Sequence, residues 1–125
     1  MRIADTSALY AAVVAEDAHH ERARAALEDA DPIVVPSEVF AETVALLQLR
    51  HGFPLASKTA KAMRHLPHLR VEGSPSGVIA AAWSEYEAAG GALSLLDAFV
   101  VAWCAKERAP PLTFDREIAK RAKRS

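Results

Sequence analysis

Pro32-Ile33-Val34-Val35-Pro36-Ser37-Glu38-Val39-Phe40-Ala41-Glu42-Thr43-Val44 passes from a short apolar strand straight into a helical run. Val39, Phe40, Thr43, Val44, Leu46 and Leu47 cover a broad apolar face of that helix. Ser37 is placed to cap its start, and Gly52 supplies a stop after about Arg50. The same alternation repeats in both directions along the chain. Apolar strands are expected near residues 2–5, 32–36, 69–72 and 111–114. Helices are expected over 7–15, 18–30, 37–50, 55–66, about 75–90 and 94–108, with a short basic helix after Asp115. Strands separated by helical runs predict an α/β domain with a parallel sheet covered by helices.

At 125 residues, the sequence reads as one domain, 1–125, with enough chain for a substantial core. No repeat, low-complexity tract or linker divides it. Hydrophobic residues make up 51% and charged residues 25%, as in a soluble globular protein. The formal charge of −1 argues against a generally basic nucleic-acid binder but leaves room for a local basic face. Nothing approaches the roughly 18 apolar residues that span a bilayer, so the expected location is cytoplasmic and no membrane partner is expected. The lone Cys104 sits in Val101-Ala102-Trp103-Cys104-Ala105 and reads as a buried structural thiol.

Four carboxylates stand where a carboxylate is unexpected unless something binds it. Asp5 ends the opening strand and precedes Thr6-Ser7, Glu42 lies in the helix after Pro36, Asp97 interrupts the apolar run 95–101, and Asp115 closes Pro111-Leu112-Thr113-Phe114-Asp115. In open α/β sheets, ligands bind beyond the carboxyl ends of the strands, where Asp5 and Asp115 fall. Converging carboxylates without thiolate or imidazole partners suit Mg²⁺ or Mn²⁺. Such ions assist phosphodiester hydrolysis by activating water and neutralising charge. A plainer reading stands beside this one: Asp5 and Asp115 as N-caps, Ser94-Leu95-Leu96-Asp97 as a capping box, and Glu38 and Glu42 as solvated helix residues.

The acidic positions, in this order and in these settings, resemble the PIN domain family, and within it the VapC-type toxins of toxin–antitoxin modules. The matching blocks are Arg2-Ile3-Ala4-Asp5-Thr6-Ser7-Ala8-Leu9, Val34 to Glu42, Leu93-Ser94-Leu95-Leu96-Asp97-Ala98, and Pro111 to Arg116. The resemblance covers essentially the whole chain. It implies a three-layer α/β/α fold with a central parallel sheet of four to five strands. It also implies Mg²⁺- or Mn²⁺-dependent endoribonuclease activity, homodimerisation, and inhibition by a cognate antitoxin. Transfer RNA is one substrate it suggests. Carried across, Asp5, Glu42, Asp97 and Asp115 form the catalytic and metal-binding set. Thr6 and Thr113 become supporting polar residues, and Glu38 and Glu117 are outer candidates. A catalytically silent PIN-like module that binds RNA or protein is the alternative. An aspartate-based phosphatase or receiver fits less well, because Asp5-Thr6-Ser7 lacks Asp-x-Asp and the early paired acids.

No acidic residue lies between Glu42 and Glu72, an interval that holds Arg50, His51, Lys58, Lys61, Arg64, His65, His68 and Arg70. Arg50, Lys58, Lys61 and Arg64 are therefore candidate RNA contacts. Arg116, Lys120, Arg121, Lys123 and Arg124 form a second basic patch, which reads as a frayed terminus. The histidines lack the partners of a zinc site. The apolar faces around 39–49, with Phe53, Leu55 and Met63, offer either core or a surface for an antitoxin segment or second subunit.

Overall fold

The computed structural model describes residues 1–124; the side chain of Arg124, one member of the terminal basic patch, lies outside the described residues. The elements run β1 Arg2–Ala4, α1 Thr6–Val13, α2 His20–Glu28, β2 Ile33–Pro36, α3 Ser37–His51, α4 Phe53–His65, β3 Leu69–Glu72, α5 Ser76–Ala89, α6 Leu95–Glu107, β4 Pro111–Leu112 and α7 Arg116–Arg124. All strand pairs are parallel, in the order β3-β2-β1-β4, so the sheet has four strands. The chain steps outward from β1 to β2 to β3 and then returns across the sheet to β4. Because parallel crossovers are right-handed, the reversal puts α1–α4 on one face and α5–α6 on the other. It also makes the β1/β4 boundary the switch point, where such sheets open a crevice.

Ile3, Ala4, Ile33, Val34 and Val35 have no accessible surface, as expected for strands covered on both faces. Helix α6 presses Ala98, Val100, Val101 and Trp103 into the same core. The edge strand β4 is only two residues long and follows Pro110, and Pro111 has no N–H to offer a further strand. Among the described residues, no helix is long and apolar enough to cross a membrane.

Several local expectations change. Ser37 does not cap α3: Pro36 stays extended to pair with Glu72, occupies the cap position, and leaves Ser37 inside the helix. Gly52 does close α3, at φ 93°. Helix α4 begins earlier than expected because Pro54 is accommodated in its first turn, where the missing N–H costs nothing. Helix α2 starts late because Asp17 organises a turn: its Oδ1 accepts from His19 N–H at 2.8 Å, and its carbonyl accepts from His20 N–H. Met63 is core, at 5% exposure, whereas Leu49 and Phe53 stand out at the α3–α4 junction at 83% and 67%.

Candidate active site

Asp5 stands at the N-cap position of α1, yet its side chain makes no capping bond. Instead Asp5 Oδ2 accepts two hydrogen bonds, from Ser7 Oγ and Thr113 Oγ1, each at 2.8 Å. Each hydroxyl proton is spent on that one oxygen. Each hydroxyl oxygen in turn accepts a backbone N–H from the loop after β4: Phe114 N–H on Ser7 at 3.0 Å, and Asp115 N–H on Thr113 at 2.9 Å. These bonds pull Thr113 out of the strand, which is why β4 stops at Leu112. The two strand ends are thereby tied across the switch point through the Asp5 carboxylate.

Asp115 does cap. Its Oδ1 accepts from Glu117 N–H at 2.8 Å and Ile118 N–H at 3.1 Å, at the start of α7. Asp97 closes a capping box with Ser94, which donates its N–H to Oδ2 at 3.4 Å and accepts from Asp97 N–H at 3.1 Å. For Asp97 and Asp115 the cap occupies only one carboxylate oxygen, so capping leaves the other free to meet a ligand. Among the described residues, Asp5 Oδ1, Asp97 Oδ1 and Asp115 Oδ2 have no hydrogen-bond donor. Burial pushes the Asp97 carboxyl above its ordinary range, followed by repulsion from Asp5 and, more weakly, from Asp115; the Ser94 bonds oppose this. These three acids thus share one field, and the field is short of positive charge. Cys104 lies behind them, 4% exposed, its thiol pushed up to about 12 by burial and by the Asp5 charge.

The remaining candidates divide. Thr6 Oγ1 is buried without a hydrogen-bond partner among the described residues, and Ser7, not Thr6, braces Asp5. Glu42 is exposed on α3 and is not among the charges acting on Asp97. Glu38 accepts from Ser74 Oγ at 2.7 Å, and Ser74 accepts from Trp103 Nε1 at 2.9 Å, a chain linking α3 to α6. Glu117 pairs with Arg121 at 3.0 Å within α7, and Arg121 also reaches Glu85 on α5. Lys58, Lys61 and Arg64 are exposed on α4, and no ion pair among the described residues engages them. Arg50 lies 5.3 Å from the centre of the Tyr10 ring.

Among the described residues, no three Asp, Glu, His or Cys side chains already converge as a metal cage. The donor set nevertheless suits a hard cation. It is all oxygen, each of the three aspartates keeps one oxygen open, and their mutual repulsion is what a divalent ion relieves.

The PIN domain family model matches residues 2–124. The chain belongs to the PIN domain family. A solved relative of this PIN domain is VapC20 of Mycobacterium tuberculosis, described as a sarcin–ricin loop cleaving toxin. The two share 27% sequence identity and a TM-score of 0.83, over 96% of this chain and 94% of the other. A search of curated proteins finds no significant match.

Proposed function

We propose that this PIN domain is a Mg²⁺- or Mn²⁺-dependent endoribonuclease and the toxin of a toxin–antitoxin pair. The observation that carries the reading is the aspartate trio at the switch point, with Asp5 braced by two hydroxyls and one open oxygen on each acid. Asp5, Asp97 and Asp115 are the residues that would hold the cation. When bound, it supplies charge neutralisation at the phosphate and a more acidic water. The protein's own part is positional. Ser7 and Thr113 fix the Asp5 carboxylate, the Ser94 box fixes Asp97, and the first turn of α7 fixes Asp115. Glu42, exposed on α3, would join when RNA or a cation arrives.

The substrate is RNA. The sarcin–ricin loop, cleaved by VapC20, is the first candidate, and transfer RNA the second. A cognate antitoxin and a second copy of the chain are the expected partners. Exposed Leu49 and Phe53, and Ile79 and Trp83 on α5, are apolar surface available for such contacts. A silent binding module is the competing reading. It draws support from Glu42, which is exposed on α3 and is not among the charges acting on Asp97.

Incubating the protein with ribosomal and transfer RNA, with Mg²⁺ or Mn²⁺ against EDTA and beside Asp97→Asn, separates the two. Metal-dependent fragments with 5′-phosphate and 3′-hydroxyl ends, lost in the variant, are expected. RNA retention by folded protein without fragments would favour the binding module.

A further inference from the structure

Phe114 stands between Thr113, which braces Asp5, and Asp115, which caps α7. Its backbone N–H is fixed on Ser7. Its side chain reaches the opposite element. The His19 ring stacks on it with centroids 4.3 Å apart and planes 6° apart, and Arg22 Cζ lies 5.3 Å from the ring centre. Consecutive Cα atoms are about 3.8 Å apart, so this pairing brings α2 and its arginine to the rim of the aspartate trio.

Arg22 differs from its neighbours in charge balance. On α2, Arg24 pairs with Glu28, whereas exposed Arg22 has no carboxylate partner among the described residues. Asp17 spends one carboxylate oxygen on His19 N–H and makes no ion pair with Arg22 among the described residues. What holds Arg22 is the Phe114 ring. A cation–π contact keeps the guanidinium ordered while leaving its hydrogen-bond donors free.

An acidic trio repels a polyanion, so substrate needs fixed positive charge beside it. Building on the ribonuclease reading above, we infer that Arg22, with His19 beside it, binds an RNA backbone phosphate adjacent to the scissile one. Phe114 is the pedestal that orients both. A guanidinium suits this task because its planar fork meets two phosphate oxygens at once. Pre-ordering on the ring lowers the entropy lost on binding. The His19 ring covers one face of Phe114, so that face is closed to a stacked base. The contact reads backbone and not sequence.

The test measures binding of a fluorescein-labelled single-stranded RNA of mixed sequence by anisotropy, across a range of KCl concentrations. Asp97→Asn serves as the parent, so that the probe stays intact. Adding Arg22→Met keeps the stem over Phe114 and removes the charge. Affinity should fall by roughly three- to tenfold at low salt, and the slope of log affinity against log salt should shrink by about 0.7. Arg22→Lys should restore most of the slope, since it returns the charge. Thermal midpoints should stay together. In the cleaving protein, Arg22→Met should raise KM and leave kcat nearly unchanged.

An unchanged slope and affinity in Arg22→Met would overturn the inference. So would a loss that Arg22→Lys fails to restore and that comes with a lowered thermal midpoint, since that marks a packing role. Metal-dependent cleavage with an unaltered slope would overturn this inference alone and leave the nuclease reading standing. Charge-dependent binding through Arg22 without any cleavage would overturn the nuclease reading and, with it, the placement beside a scissile phosphate. No RNA binding by the parent would overturn both.

Discussion

Replacing Thr113 with valine tests the bracing of Asp5 while preserving side-chain shape. The change removes the 2.8 Å bond to Asp5 Oδ2 and the acceptor for Asp115 N–H at 2.9 Å. A hydrogen bond to a charged group contributes about 1.5–3 kcal/mol and a neutral one about 1 kcal/mol. Thr113 is only half-buried and water can replace part of the loss, so the sum should come out near 2–3 kcal/mol. At roughly 4 °C per kcal/mol for a domain of this size, the thermal midpoint should fall by about 8–12 °C. Ser7→Ala should cost a similar amount, because Ser7 makes the matching pair of bonds. Both hydroxyls serve one oxygen, so the double variant should depart from additivity by about 0.5–1.5 kcal/mol. In an Asp5→Asn background the cost of Thr113→Val should shrink by about half, the acceptor being neutral. Differential scanning calorimetry of the full cycle provides the readout. A Thr113→Val change within about 0.5 kcal/mol of the parent, or strict additivity with Ser7→Ala, would refute the bracing argument.

Asp97→Asn should abolish metal-dependent cleavage, by about a hundredfold or more, while leaving the cation-free protein at least as stable as the parent. The amide oxygen can still accept from Ser94, and the repelled charge is gone; a midpoint clearly below the parent would count against this. The pH dependence follows from the same residue. An acid raised on folding binds more protons in the native than in the unfolded state, so stability falls as pH rises from the ordinary 3.8 through the raised value. Without cations the Asp97 contribution to stability should be lost over that window, so the parent should fall relative to Asp97→Asn as pH rises, and Mg²⁺ should offset that fall; unfolding curves in EDTA and in Mg²⁺ provide the check. Glu38→Gln should cost about 1 kcal/mol through the Ser74–Trp103 chain and leave cleavage intact. Loss of cleavage at retained stability would return Glu38 to the site. Cys104 should resist iodoacetamide in the native protein at mildly alkaline pH and react on unfolding, since its thiol stays protonated to about 12.

Much of this was legible in local sequence. Val34-Val35-Pro36 and Leu69–Glu72 announce themselves as strands, and Gly52 marks a helix end. Asp97 is legible twice, as a capping-box residue and as a charge in an apolar helix, and the structure keeps both roles. What was not legible depends on where a helix starts or on contacts between distant segments. Helix α1 begins at Thr6, one residue before the expected start, and the bond to Asp5 comes from Ser7 while the Thr6 hydroxyl is buried without a partner among the described residues. The dipeptide Thr6-Ser7 offers two hydroxyls and no means of choosing between them. Glu38 and Glu42 share one helical face, but spacing does not reveal that Ser74 engages the first and that the second stays exposed. The stacking of His19 on Phe114 joins opposite ends of the chain, and neither segment hints at the other.

The most direct measurement is a calorimetric titration of RNA-free protein with Mn²⁺, run for the parent, Asp5→Asn, Asp97→Asn and Glu38→Gln. The account predicts saturable binding in the parent and in Glu38→Gln, lost or strongly weakened in the two aspartate variants. Equal Mn²⁺ affinity across all four proteins, or no binding by the folded parent, would contradict it.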